Sequence, residues 1–126
     1  MSRAQTAKGV DLNITYHDRA ADLYGSGAAT VNTVVGTYTV PVGRRAALRF
    51  AFVDINGTSG SSIRISVNRS GLGSRLIWMV ALGSTEVMSA LRFDVLLQAG
   101  DIVSVSAVPV TSMSYTVTVL IDEIDL

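Results

Sequence analysis

Residues 45–68 read RAALRFAFVDINGTSGSSIRISVN, and this stretch decides the fold class. Its first eight positions alternate apolar residues with polar or small ones, the apolar set being Ala46, Leu48, Phe50 and Phe52. A period of two is typical of a strand with one buried face. Residues 56–62 are turn formers, and the alternation resumes between Ile63 and Val67. The stretch therefore predicts two strands joined by a loop.

The same pattern recurs along the chain. It predicts eight strands: Val10–Tyr16, Val31–Val40, Arg45–Asp54, Ile63–Asn68, Leu76–Leu82, Val87–Leu97, Ile102–Val108 and Tyr115–Ile121. No window of helix length has a 3.6-residue period with capping residues. Short strands separated by turns indicate a sandwich, so we expect an all-β, eight-stranded antiparallel β-sandwich that is jelly-roll-like. The expected core is Leu48, Phe50, Phe52, Ile63, Ile65, Leu91, Phe93, Val95, Val103, Val105, Val117 and Val119.

The first thirty residues have a different composition. Residues 1–8 are small and polar, and residues 17–30 are rich in Ala, Gly, Ser and Asp without a clear period. We therefore expect an N-terminal arm, a short strand and a loop over residues 1–30, and a sandwich domain over residues 31–126. An arm of this kind is ordered by a partner, which makes Arg3 and Lys8 candidate partner-binding residues.

Composition points to assembly. The chain has 126 residues, of which 48% are hydrophobic and 16% charged, against about 25% charged in typical soluble domains. The mass of 13.3 kDa fits one domain, and the mean hydropathy is +0.42. A small domain with so many apolar residues leaves some apolar surface outside its own core. Residues 76–82 are apolar on both faces, as in a buried or interface strand, so Ile77 and Met79 are candidate partner-binding residues.

The same numbers exclude several functions. Ten basic residues balance ten acidic ones, so a nucleic-acid partner is not expected. There is no cysteine and only one histidine, His17, which excludes thiol chemistry and a multi-histidine metal site within one chain. No apolar run approaches the roughly 20 residues of a membrane helix, and residues 1–10 show no secretory signal. We expect no cofactor, no metal and no membrane partner.

Few residues are candidates for chemistry. His17 and Asp18 are a base and a carboxylate in sequence, but nothing places a nucleophile beside them. Asp54, Asp94 and Asp101 lie at strand ends or turns, where aspartate bonds the local backbone. The acidic tail, residues 122–126, is interpreted as charge on a terminal edge strand, which prevents stray strand pairing. We expect no catalytic residue and no enzyme activity.

Two segments resemble small phage virion proteins with a jelly-roll fold. Residues 38–46, YTVPVGRRA, precede an apolar strand and the loop Asn56–Gly60, like the "YTVPAGK" entry and "N.SGS" loop of those proteins. Residues 97–105, LQAGDIVSV, resemble their "L.AGD.I.V" turn, which trimeric jelly rolls of the tumour-necrosis-factor type share. The resemblance covers residues 37–121 and carries over no binding residue.

This resemblance implies a structural protein of a bacteriophage virion, made in the host cytoplasm. Capsid decoration, a head-fibre base and a tail accessory are the roles it implies. We expect a capsid decoration or cementing protein that forms a homo-oligomer, with a trimer favoured, and adheres to the major capsid protein or another virion protein. The alternatives are a ligand- or glycan-binding β-sandwich module of the receptor-binding type and a small glycosidase or lyase.

Overall fold

The computed structural model describes the backbone of residues 17–125 and the side chains of residues 23–123. These residues form eight strands: β1 (His17–Ala29), β2 (Thr33–Thr39), β3 (Arg44–Gly57), β4 (Ser62–Arg69), β5 (Gly73–Ala81), β6 (Glu86–Leu97), β7 (Ile102–Val108) and β8 (Met113–Asp125). Within this part of the chain there is no helix long and apolar enough to span a bilayer.

The strands form two four-stranded sheets with a nested order. Sheet A runs β1-β8-β3-β6 and sheet B runs β2-β7-β4-β5. The antiparallel pairs β1–β8, β2–β7, β3–β6 and β4–β5 make one long ribbon with β4 and β5 at its tip. The ribbon is rolled so that β3 also pairs with β8 and β4 with β7. This is the wiring of a jelly roll, so the predicted all-β sandwich is confirmed.

The first described strand corrects the sequence interpretation. Residues 17–29, expected in a loop, form β1 and pair along their length with β8. The two sheets approach closely at Gly25, where a Cβ atom would lie 2.1 Å from Cγ1 of Val35 on β2. Pairing with β8 holds this strand, so it needs no apolar alternation of its own. The expected arm, residues 1–8, and the strand Val10–Tyr16 lie outside the described residues.

A β-bulge in β3 corrects the expected core. Leu48 and Phe50 lie opposite consecutive residues of β8, so Arg49 is an extra residue and the alternation shifts by one position. Phe50 and Phe52 consequently face outward and are only half-buried, contrary to expectation. The inward side chains beyond the bulge are fully buried: Ala51, Val53 and Ile55.

Most other expected core residues are confirmed. Seven have at most 1% of their surface exposed: Leu48, Ile63, Ile65, Val103, Val105, Val117 and Val119. Phe93 and Val95 are partly buried and pack against this cluster. Leu91 is 41% exposed, because its strand, β6, is the edge of sheet A and the sandwich is open beside it. Burial in this fold follows the position of a strand in its sheet as well as its sequence.

The acidic end of the chain is also different from the prediction. β8 lies between β1 and β3, so it is an inner strand and not a terminal edge strand. The side chain of Glu123 is completely buried, accepts a hydrogen bond from the Tyr38 hydroxyl and lies 3.5 Å from the Arg44 guanidinium. A buried carboxylate needs such partners, because removing it from water without them costs on the order of several kcal/mol.

One end of the sandwich is held together by a second buried carboxylate. Asp101 is 3% exposed, and its side chain accepts hydrogen bonds from the backbone N–H groups of Gln98, at 2.9 Å, and Ser70, at 3.4 Å. The Arg69 guanidinium lies 3.2 Å from the same carboxylate and also donates to the Leu96 carbonyl. These bonds join the β4–β5 and β6–β7 loops into one rigid end.

Candidate interaction surface

The outer face of sheet A consists of the outward side chains of β3, β6 and β8, and an apolar patch of Phe50, Phe52 and Leu120 lies between polar residues on this face. Across the sheet, Leu120, Phe50 and Arg92 form one row, and Thr118, Phe52 and Ala90 form the next. The two phenylalanines and Leu120 are half-buried by their neighbours and by the twist of the sheet. Large apolar side chains on an outer face do not pack into the core of their own chain. They therefore mark this face as a candidate interaction surface.

Ion pairs fix the bulge at one end of this face. The Arg49 guanidinium lies 2.7 Å from an oxygen of Asp94 on β6 and 3.3 Å from an oxygen of Asp122 on β8. The bulge thus directs a cation between two strands that each supply a carboxylate. A shallow depression of about 470 Å³ beside it is lined by Arg49, Phe50, Arg92, Phe93 and Leu120. An apolar floor with a basic rim is a shape that suits another protein surface.

The outer face of sheet B has the opposite character. Its inner strands present small hydroxyl and polar side chains outward: Ser104 and Ser106 on β7, and Arg64, Ser66 and Asn68 on β4. Apolar residues lie at the margins of this face: Leu76 is 55% and Met79 46% exposed on the edge strand β5, Val34 is 64% exposed on the edge strand β2, and Ile102 and Val108 are half-buried at the ends of β7. The centre of this face gives a partner little apolar area to bury.

The flank where β5 and β6 run side by side is open. The rings of Trp78 and Phe93 meet edge to face across it, with centroids 5.7 Å apart. Both rings are half-buried, and Leu91 beside them is 41% exposed. An edge-to-face pair of this kind stabilises the contact between the sheets by about 1 kcal/mol beyond its buried area. The aromatic pair closes the flank only in part.

The partner-binding residues expected from the sequence fall into three situations. Arg3 and Lys8 lie outside the described residues. Met79 is an exposed outward residue of β5, whereas Ile77 is half-buried and packs against the core. The strand expected to be apolar on both faces is thus an edge strand whose outward row is exposed. A partner role for these residues stays a prediction.

The candidates for chemistry do not come together. Among the described residues no three histidine, cysteine, aspartate or glutamate side chains lie close enough to hold a metal ion. Asp94 pairs with Arg49, and Asp101 serves the loops. His17 begins β1, and its side chain is outside the described set. A shallow polar groove of about 310 Å³ contains Asp54 and Glu86 with Ser26 and Asn56.

The outward direction of Phe50 and Phe52 on sheet A was not predicted from the sequence. The alternation from Leu48 predicts an inward direction for both Phe50 and Phe52, which places them in the core. One signal was present in the same stretch: Ala51, Val53 and Ile55 form an equally regular apolar row in the other phase. Two competing apolar rows in one strand indicate either burial on both faces or a bulge.

No protein-family model matches the sequence, and no curated protein matches it. Among solved structures, the chain is similar to a structure of infectious bursal disease virus Gx strain, with 10% identity and a TM-score of 0.48 over 96% of this chain. It is similar to the Gt strain structure of the same virus, with 12% identity and a TM-score of 0.48 over 96% of this chain. The VP2 subviral particle of that virus gives 10% identity and a TM-score of 0.47 over 94%. The chain spans 36%, 38% and 37% of the lengths of these three chains, respectively.

Proposed function

We propose that this protein is a non-enzymatic structural component of a virion, and specifically a capsid decoration or cementing protein of a bacteriophage. The observation that carries the proposal is the apolar patch of Phe50, Phe52 and Leu120 on the outer face of sheet A, in a jelly roll whose core is already buried. The fold supplies a rigid body, and this face supplies adhesion. The sequence resemblance over residues 37–121 supports the phage origin.

The mechanism is repeated weak binding to the major capsid protein or another virion protein. Each copy buries the apolar patch of Phe50, Phe52 and Leu120 against its partner. This burial contributes about 25 cal/mol for each Å² of apolar area removed from water. Oligomerisation joins several such faces, so a second contact forms within the same complex at a high effective concentration. Modest contacts then hold a large shell together.

The oligomer is a trimer in this proposal, with contacts through the outward row of β5. Leu76 and Met79 are the exposed apolar residues of that row. A closed ring of three needs two different patches on each subunit, since its contacts run head to tail. The β5 row is one such patch. Arg3 and Lys8 are proposed to bind the capsid or the neighbouring subunit.

Co-sedimentation with capsids of the virus that encodes the protein tests the role. Purified protein is expected to pellet with capsids, and Phe52→Asp is expected to abolish this. Ser66→Asp is the matched control, because Ser66 is a half-buried outward residue on the inner strand of the other sheet. Circular dichroism checks that both variants are folded. Undiminished binding by Phe52→Asp would contradict the proposed face.

The polar groove favours one second candidate, a glycan-binding module. Asp54, Asn56 and Glu86 present several hydrogen-bonding groups on one open surface. A glycan array separates the two functions. Binding of a defined glycan that is lost in Asn56→Ala and retained in Phe52→Asp would support this candidate over the decoration role.

A further inference from the structure

Strand β6 is a long edge strand with one unpaired side. It ends the order of sheet A and has 12 residues, and along its second edge no strand pairs with it within the described part of the chain. Free edges of this length attract other strands, and proteins commonly protect them with lysine, proline or inward-facing charges. Residues 86–91 of β6 contain none of these features. They also pair with β3 without a bulge.

The outward side chains of this segment have a self-complementary order. Glu86, Met88, Ala90 and Arg92 face outward in succession, which gives an acid, two apolar residues and a base. Glu86 and Arg92 are both exposed, and neither has an ion-pair partner among the described side chains. When a second copy of the segment runs in the opposite direction, its base lies opposite the acid of the first copy and its apolar residues lie opposite apolar residues.

We propose that two copies of this chain join edge to edge through β6, as antiparallel strands related by a two-fold axis at Ser89. This register places Glu86 of each copy opposite Arg92 of the other and Met88 opposite Ala90. Opposite charges directly across an antiparallel pair stabilise it. The two-fold symmetry gives the contact two ion pairs from one pair of residues. The two A sheets become one eight-stranded sheet.

The inward side chains support the same register. Val87 and Leu91 face the space between the sheets, and Leu91 is 41% exposed at the open flank. Pairing about Ser89 sets Leu91 of one copy opposite Val87 of the other, which covers this apolar surface. Charge order selects the antiparallel register, and the burial of Leu91 is compatible with it. Two free β6 edges meet about a two-fold axis, because the other edge of each strand is already paired with β3.

The β6 contact joins copies of this chain and does not depend on the protein being part of a virion. The proposed trimer uses β5 and leaves the β6 edge available. The β6 contact alone gives two copies, and combined with a three-fold contact it gives six. An even number of copies is therefore the expected result, and its failure leaves the capsid-binding test unaffected.

Light scattering and sedimentation equilibrium on the full chain test the contact. The wild-type protein is expected at twice, or six times, the 13.3 kDa chain mass. Arg92→Glu and Glu86→Arg each replace two attractive pairs by two repulsive ones. Each variant alone is therefore expected to weaken β6 pairing roughly tenfold or more. Arg64→Glu, on the outer face of sheet B, is the matched charge-reversal control and keeps the wild-type mass.

Mixing the two variants gives the decisive result. In a mixed pair, the glutamate introduced at position 92 of one copy faces the arginine introduced at position 86 of the other, and the native Arg92 and Glu86 face each other at the symmetric position. Equimolar mixing is therefore expected to restore an even-numbered assembly that neither variant forms alone. Wild-type masses of one or three chains would overturn the inference, and so would variants that keep the wild-type mass or fail to recombine while folded by circular dichroism.

Discussion

The outer faces of the two sheets differ although the sheets are built alike. Each has four antiparallel strands, and each contributes an inward row of valine, isoleucine and alanine to one shared core. Outward, sheet A presents Phe50, Phe52 and Leu120, whereas the inner strands of sheet B present Ser66 and Ser104 in comparable places. The fold does not require this difference. Since the core is already filled from both sheets, these outer residues of sheet A are the ones that we propose to contact a partner.

The largest effect on the free energy of unfolding is expected in the core, which the two sheets share. Leu48→Ala is expected to lower the free energy of unfolding by about 2–5 kcal/mol, because it leaves a cavity in a fully buried site. Phe50→Ala, two residues away but outward and half-buried, is expected to cost only about 1–2 kcal/mol. Urea denaturation measures both. Equal losses would place Phe50 in the core and remove the contrast between the faces.

An intermediate effect separates a buried ion pair from an exposed one. Asp101→Ala is expected to cost about 1–3 kcal/mol, because it removes the acceptor of two backbone N–H groups and leaves Arg69 without its carboxylate. Asp94→Ala is the control, since its carboxylate is 81% exposed although it lies 2.7 Å from Arg49. It is expected to cost less than about 1 kcal/mol. Thermal unfolding of the two variants provides the measurement, and a larger loss for Asp94→Ala would contradict this ranking.

The smallest expected effect is a change in dye binding at the surface of the folded protein. The double variant Phe50→Ser and Phe52→Ser is expected to bind less of a fluorescent apolar dye than the wild type, since it removes the aromatic rows of sheet A. Ser66→Ala with Ser104→Ala on sheet B should leave dye fluorescence unchanged. Exposed apolar surface is what such dyes report. An unchanged signal in the phenylalanine variant, with its fold intact, would show that the apolar contrast between the faces is unimportant.

Strong alternation made most of the strands predictable. From β2 to β8 the predicted strands overlap the observed ones, because each has one apolar row facing a core and turn residues at its ends. β1 was not predictable in the same way. Its residues are small where Val35 of β2 approaches Gly25, and its strand conformation depends on β8, which lies about 90 residues further along the chain.

The candidate surface was predictable only in kind. An excess of apolar residues in a small chain indicated an interaction surface, and exposed Met79 agrees with the direction expected for β5. The position of the main apolar face depended on one extra residue, Arg49, in β3. A bulge reverses the direction of every later side chain in its strand. The two phenylalanines that simple alternation predicts to face inward therefore face outward.

The sequence by itself determined the class of fold, most strand positions and the small number of candidate catalytic or metal-binding residues. Alternation, turn residues and composition can all be recognised in the sequence without knowing the fold. The tertiary structure alone decided which strands became edges, which face of β3 met the core and where Glu123 was buried. These depend on pairing between segments far apart in sequence. The physical reason is that a strand is specified by its own residues, whereas its neighbours and its register are selected only when apolar rows of strands far apart in sequence pack into the same core.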